Sequence, residues 1–387
     1  MLSRRAAGFP WFPLCPLFFP LDVRDRRSLQ LAKIDILLPV KNGVDFLAES
    51  LDSVRAQTFQ DWRLLVLDHG STDGSREMAE DYHRRDPRIE VHTLPEAKGL
   101  SGLLNCGLDL ANADFIVRHD ADDVCFPDRF AVQLAAFEAQ PDIVAIGGQA
   151  DVIDAAGANI GVMSMPIGTA RVAAASLFRN PIAHPTAMLR LAEVRRLGVR
   201  YGIDVLKVLP EHQRIEVPNL AEDYFLFGQL AILGKCANVP QKLIRYRWHG
   251  NNVSATRFMD QMEVSLQVSR FLARSFCTMH GLPYFDPAPF CNHGGILMDV
   301  DGRSNFDAEF ATMAATLRKG LGESSELERE LVYRKAISTR GEARLLWRFN
   351  RFRNAHTPET GEWNAVRAWL IRRFPGKRNM RVAAQPA

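Results

Sequence analysis

The sequence predicts an α/β protein. Short β-rich runs alternate with helix-period segments from Ile34 to about Ile146, and acidic or turn-forming residues stand where the strands end. Strands are expected at 34–40, 63–68, 88–94, 114–119 and 143–147, each rich in aliphatic or β-branched residues. Helices are expected between them at 44–57, 73–83, 100–111 and 127–140, where apolar residues recur at helical spacing. Repeated βα units imply a Rossmann-like, mostly parallel central sheet flanked by helices. Ligands of such sheets bind beyond the carboxyl ends of the strands. Asp68, Asp120 and the turn after Val40 all fall at that edge.

After Gly147 the periodicity is less regular. A helix is expected at 169–179, a loop leading into a strand at His184-Pro185-Thr186, an apolar helix at 220–233 and a strand at 242–248. Beyond Met259 the pattern is helical, with helices expected at 326–349 and 363–374, and a loop rich in Pro and Gly lies between Leu282 and Gly302. The expected organisation is an extension over 1–32, an α/β domain over 33–256 and a mostly helical C-terminal region over 257–387.

With 387 residues and 47% hydrophobic content, the chain can bury a substantial core. The apolar stretch 9–21 is broken by Pro10, Pro13, Pro16 and Pro20 and is too short for a transmembrane helix. Arg4-Arg5 before it faintly resembles a signal peptide, but the prolines and the missing small-residue cleavage site argue otherwise. Six cysteines without framework spacing suit a reducing cytoplasm. From Arg334 onward there are 13 Lys/Arg against 3 acids, so the chain's end is basic although the whole carries only +3. The helix at 363–374 could lie peripherally on an anionic membrane face, but packing on the α/β domain with a solvated basic side is the preferred reading. No recognised fold or stacking motif supports nucleic-acid binding.

Asp120-Ala121-Asp122-Asp123 directly follows an apolar strand. Alternate carboxylates on a tight turn can hold one hard divalent cation, while a diphosphate supplies further oxygens. Leu38-Pro39-Val40-Lys41-Asn42-Gly43 closes the first strand with a sharp turn. In Asp68-His69-Gly70-Ser71-Thr72-Asp73, Thr72 or Asp73 can cap the next helix, whereas Asp68 stands free to accept from a base N–H or a ribose hydroxyl. Lys98-Gly99-Leu100 opens the third helix with free N–H groups and a lysine suited to a phosphate.

These segments together resemble the inverting family 2 glycosyltransferases with the GT-A fold. Asn105-x-Gly107, Pro127-Asp128-Arg129, His184-Pro185-Thr186, Ala221-Glu222-Asp223-Tyr224 and Tyr246-Arg247-x-His249-x-x-Asn252-x-Ser254 extend the resemblance across 33–256 in the family's order and spacing. The resemblance implies that Pro39, Val40, Asn42 and Asp68 line the nucleotide pocket, shaped by Ser71 and Asp73, with Lys98 toward phosphate. It implies that Asp122 and Asp120 form the Mg²⁺ or Mn²⁺ motif, with Asp120 also turned toward ribose and His249 near the diphosphate or metal. Asp223, paired with Glu222, would be the general base, and His184 and Trp248 would border the acceptor site. His69 and Lys98 stand where the family more often has other residues.

Inverting transfer needs one base opposite the leaving group and a cation for the departing diphosphate, whereas a hydrolase needs a second carboxylate and an acid. The expected activity is therefore transfer of a sugar from a nucleotide-diphosphate donor, a UDP-sugar first, to a glycan or lipid-linked hydroxyl in cell-surface polysaccharide or lipopolysaccharide synthesis. The expected location is the cytoplasm or the inner membrane face. A nucleotidyltransferase-like enzyme would want a glycine-rich basic loop after the first strand, which is missing. A non-catalytic nucleotide-sugar-binding protein on the same fold would not need intact Asp122 and Asp223.

Overall fold

The computed structural model describes residues 32–249, 257–291, 306–339 and 341–373. The expected N-terminal extension, Asn252 and Ser254 therefore lie outside the described residues. Strand β1 (Ile34–Val40) is buried along its whole length and pairs in parallel with β2 (Trp62–Asp68) and β4 (Phe115–Arg118), while β3 (Ile89–Thr93) extends the sheet beyond β2. Alternate residues of these strands feed different cores, because successive side chains of a strand point to opposite faces. Ile36 and Leu38 of β1 join Leu47 and Leu51 of α1 (Val44–Arg55) and Ala79 of α2 (Ser75–Arg85). Leu37 of the same strand joins Leu104 and Leu108 of α3 (Gly99–Leu110).

The register brings the strand ends level: Val40 lies opposite Asp68, Asp68 opposite Thr93, and Leu37 opposite Arg118. The parallel expectation holds through β3, β2, β1 and β4. Beyond β4 the sheet becomes mixed. After β5 (Val124–Cys125) and α4 (Arg129–Ala139) come β6 (Ala145–Ile153), β7 (Asn159–Met163), α5 (Thr169–Ser176), β8 (Met188–Arg190), α6 (Leu191–Leu197), α7 (Glu222–Ile232) and β9 (Cys236–Arg247). The full order is β3-β2-β1-β4-β8-β6-β9-β5, with β7 paired to β6. Strand β9 is longer than expected because Cys236 to Asn238 also pair with β6 before the run from Lys242.

The helical C-terminal region is present. It comprises α8 (Phe258–His280), α9 (Asp307–Leu321), α10 (Ser325–Ile337), α11 (Glu342–Ala355) and α12 (Thr360–Arg373). The single helix expected at 326–349 is divided because Gly341 adopts a φ of 94°, which a helix interior does not allow. A third apolar cluster joins Phe178, Phe225 and Tyr224 to Phe271, Phe276, Leu317 and Leu331, so the later helices pack onto α5 and α7. No helix among the described residues is long and apolar enough to cross a membrane.

Candidate active site

At the carboxyl edge, two strand-end turns are laced together by their own side chains. Asn42, in the left-handed region at φ 54°, accepts from the Thr72 N–H at 2.9 Å and donates its backbone N–H to Ser71 Oγ at 3.1 Å. Asp73 accepts from the N–H groups of Val44 and Ser75, both at 3.0 Å. These bonds tie the turn after β1 to the turn after β2, above the paired strand ends at Pro39, Val40 and Asp68. Asp68 accepts the Ser71 N–H at 3.0 Å through one carboxylate oxygen, and its other oxygen is buried without a partner. A buried carboxylate oxygen left unpaired is costly, and a ligand donor would satisfy it. Lys98 stands exposed at the start of α3, next to Ala97, whose carbonyl is bonded to the His69 ring at 2.8 Å.

The acidic turn follows β4. Carboxylate oxygens of Asp120, Asp122 and Asp123 all lie within 4.8 Å of one another. Asp123 is fully buried, accepts the Arg247 N–H at 2.8 Å, and keeps its second oxygen unpartnered. Burial, then Asp122 and Asp120, push its carboxyl well above the ordinary range. This is a set of hard oxygen donors short of positive charge, and it fits a divalent cation. His249 is placed beside it, with Nε2 2.9 Å from Asp122 Oδ2 and its ring 5.2 Å from that of Phe46. The structure thus adds Asp123 to the expected pair and sets His249 against one of its members.

Arg118, at the end of β4, is the cation this turn already has. Its side chain is only 2% exposed, bonds Asp120 Oδ1 and the His119 carbonyl, and leaves Nε without a partner. Its charge also acts on Glu222 and Asp223, whose carboxyls it holds down against the rise caused by burial. Burial nevertheless prevails: Asp223 is raised to about 6, and Glu222, raised further by Asp223, to about 7. Asp223 accepts from Asn180 Nδ2 at 2.7 Å and from the Tyr224 N–H at 2.7 Å. One oxygen of Glu222 is buried and unpaired. Helix α7 starts two residues later than expected because Leu220 takes a φ of 75°, which aims the acidic first turn at this edge.

Residues 35–195 match the family model described as Glycosyl transferase family 2. The match runs from β1 into α6 and contains the turns after β1 and β2 and the acidic turn. Residues 35–195 belong to glycosyl transferase family 2. A Haemophilus influenzae protein named an uncharacterized glycosyltransferase is 27% identical over 248 residues, covering 61% of this chain and 72% of that one. The amylovoran biosynthesis glycosyltransferase AmsE of Erwinia amylovora is 25% identical over 232 residues, covering 59% of this chain and 81% of that one. Among solved structures, S. aureus TarS in complex with UDP-GlcNAc superposes with a TM-score of 0.49 at 15% identity, over 87% of this chain and 91% of that one.

In this glycosyltransferase scaffold the expected site residues form two groups. Pro39, Val40, Asn42, Asp68, Ser71 and Asp73 gather at the ends of β1 and β2, and the acidic turn and the Glu222-Asp223 pair share the charge of Arg118, which was not among the expected site residues. His184 and Trp248 are less alike than expected. His184 is buried, kept neutral by burial and by Arg118, and bonded through Nε2 to the Tyr201 hydroxyl at 3.1 Å. Trp248 leans on the apolar cluster of the opposite sheet face. Sequence reasoning passed over Asn180 and Tyr201, while Tyr246 stood in the matched motif without an assigned role. Tyr246 alternates with Arg247 on β9 and has the carboxylates of Asp123, Asp120, Asp122 and Asp223 among its electrostatic neighbours. Its place near the end of β9, two residues before Trp248, was the available signal.

Proposed function

We propose that the protein is a metal-dependent inverting glycosyltransferase that moves a sugar from a nucleotide-diphosphate donor, a UDP-sugar first, to an acceptor hydroxyl. The observation that carries this reading is the shared cation. Arg118 bonds Asp120 of a three-carboxylate turn suited to a diphosphate-bound metal, and its charge also acts on a second carboxylate pair, Glu222 and Asp223, suited to proton removal. The nucleotide would enter the cleft of Pro39, Val40, Asn42 and Asp68, with the unpaired Asp68 oxygen accepting from base or ribose and Lys98 near phosphate. Asp120, Asp122 and Asp123 would hold Mg²⁺ or Mn²⁺, with His249 orienting Asp122. The metal, when bound, would neutralise the departing diphosphate. Asp223 takes the proton of the acceptor hydroxyl, and its raised acidity range puts its basicity close to what transfer near neutral pH requires. Glu222 sets the local field, and His184 orders the adjoining wall through Tyr201.

An acceptor in cell-surface polysaccharide or lipopolysaccharide synthesis, glycan or lipid-linked, agrees with the role named for the Erwinia amylovora relative. Catalysis at the inner face of the cell membrane suits such an acceptor. The test is thermal stabilisation by UDP, GDP, dTDP and NAD, each with and without Mn²⁺ or Mg²⁺. UDP with metal should give the largest shift, and no shift with any nucleoside diphosphate rejects the reading. Asp223→Asn should bind UDP normally and lose turnover by roughly 10²–10⁴-fold. Unchanged turnover would remove Asp223 from the base role. An NMR spectrum of the product should show the anomeric configuration opposite to the donor's.

A further inference from the structure

We infer that Asn180 is a positioning residue for the carboxylate of Asp223, and that the C-terminal helices hold Asn180 in place by gripping the two residues before it. The inference rests on reading Asp223 as the base.

Asn180 lies in the segment after α5, outside the expected motifs, and its Nδ2 donates to Asp223 Oδ2 at 2.7 Å. With the Tyr224 N–H on Oδ1, this bond fixes the plane of the carboxylate. A side-chain amide donating to a carboxylate also favours the charged form, which is the form a base must have. Helix α5 ends at Ser176, and the segment continues as a turn in which the Phe178 and Arg179 N–H groups bond the Ala175 carbonyl and Asn180 Oδ1 accepts the Ile182 N–H at 3.3 Å. Its neighbours in the chain anchor it further. Phe178 is fully buried, faces Phe285 and Phe290 at 6.4 and 6.5 Å between ring centroids, and carries the Arg334 guanidinium 4.7 Å from its ring. Arg179, with its side chain 7% exposed, pairs with Glu359 at 3.2 Å.

Glu359 is in turn shared with Arg171 of α5, which also pairs with Glu330 at 3.1 Å and Glu362 at 3.2 Å. These glutamates belong to α10, α12 and the turn before α12. Both ends of the α5 segment are therefore tied to helices that lie far beyond the family match in sequence. The charged side chains are almost wholly buried, so the pairs are exposed to little solvent screening and their geometry is exacting. The C-terminal region thereby becomes a wall of the base's site.

The groups that also enter the titration of Asp223 are Glu222 on its own helix, Arg118 on β4, Tyr201 in the loop after α6 and Tyr246 on β9, with Asp120 on the acidic turn acting on Glu222. Three variants separate the contribution of Asn180 from theirs. Asn180→Ala removes the donor. Asn180→Asp keeps the shape but brings a like charge, with a titration of its own. Glu359→Gln leaves Asn180 intact and loosens the segment from a distance.

The first readout needs no donor sugar. Because the folded Asp223 binds its proton more tightly than the unfolded chain does, its ionisation lowers stability as pH rises, and loss of the amide should steepen that fall. The drop in unfolding temperature between pH 5 and pH 8 should be larger in Asn180→Ala than in the parent, and larger again in Asn180→Asp. The Asn180→Ala difference should vanish when the same change is made in Asp223→Asn. The second readout is UDP release from UDP-glucose, UDP-galactose or UDP-N-acetylglucosamine with Mn²⁺. For any of these that is turned over, the acid limb of kcat should move up by roughly one pH unit in Asn180→Ala, with the donor KM within about twofold. Glu359→Gln should move it the same way by less. A pH dependence of stability that Asn180→Ala and Asn180→Asp leave unchanged overturns the inference. If instead those differences appear as expected but Asp223→Asn turns over normally, the base reading has failed while the positioning contact stands.

Discussion

At the scale of the residue, the site is a problem of too many carboxylates around one arginine. Glu222 is raised to about 7 by burial and by Asp223, and it keeps an unpaired buried oxygen. A carboxyl whose folded pKa lies above its unfolded value contributes nothing below the unfolded value and costs stability once ionised. Removing that charge should therefore stabilise the protein only where it would otherwise be ionised. Glu222→Gln is expected to gain on the order of 1–3 kcal/mol at pH 8 and nothing at pH 4, by chemical denaturation at the two pH values. An equal gain at both would show that the effect is steric. Arg118→Met should do the reverse, leaving Asp120, Glu222 and Asp223 facing one another and costing about 3–5 kcal/mol at pH 8. The acidic residues of this site were legible in the sequence because each ends a strand or opens a helix, where position alone implies exposure to a ligand. Asn180 was not, because it meets Asp223 across 43 residues of chain and no local pattern marks that contact.

At the scale of the element, legibility followed length and monotony. The seven residues of β1 are apolar or buried throughout, as a central parallel strand requires, and its bounds were read directly from the sequence. In the mixed half of the sheet strands were expected at 143–147, after His184-Pro185-Thr186 and at 242–248, but the two-residue β5 carries no period to read and the pairing order had no sequence signature. Its geometry is set instead by Gly147-Gly148, where the pairing of β6 with β9 shifts register. A Cβ on Gly147 would lie 2.6 Å from both Asn238 Oδ1 and Ile182 Cγ2, and 3.0 Å from the Thr186 hydroxyl. Thr186 is itself held by the Ala183 carbonyl at 2.7 Å, so little can give way. Gly147→Ala should cost about 1–3 kcal/mol in a denaturant titration. It should also displace the end of β9 that carries Tyr246 and Arg247, weakening metal-dependent UDP stabilisation beyond what the lost stability explains. Normal UDP binding would mean that the bulge serves packing alone.

At the scale of the whole molecule, the α/β sheet and the later helices share one polar seam as well as an apolar cluster. Glu330 of α10 sits at its centre, without exposure, between Arg171 at 3.1 Å and Arg334 at 2.5 Å. Burial alone would raise its carboxyl, but Arg334 and then Arg171 overcome that and hold it at about 2. A depressed carboxyl stabilises the fold above the unfolded pKa, near 4.3, and that contribution disappears as pH falls toward the folded value. Glu330→Gln would leave Arg171 and Arg334 buried with less counter-charge, which costs far more than the pair itself contributes. The expected loss is about 3–5 kcal/mol at pH 7, measured by denaturant unfolding. The difference from the parent should shrink from pH 4.5 toward pH 2, because the parent's own glutamate becomes neutral there. A loss that stayed constant over that range would place the defect in packing. The seam also gives the two halves a reason to unfold together. Glu330→Gln should therefore lower a single transition recorded by both far-UV signal and intrinsic fluorescence, whereas separation into two would show that the α/β sheet holds without its C-terminal helices.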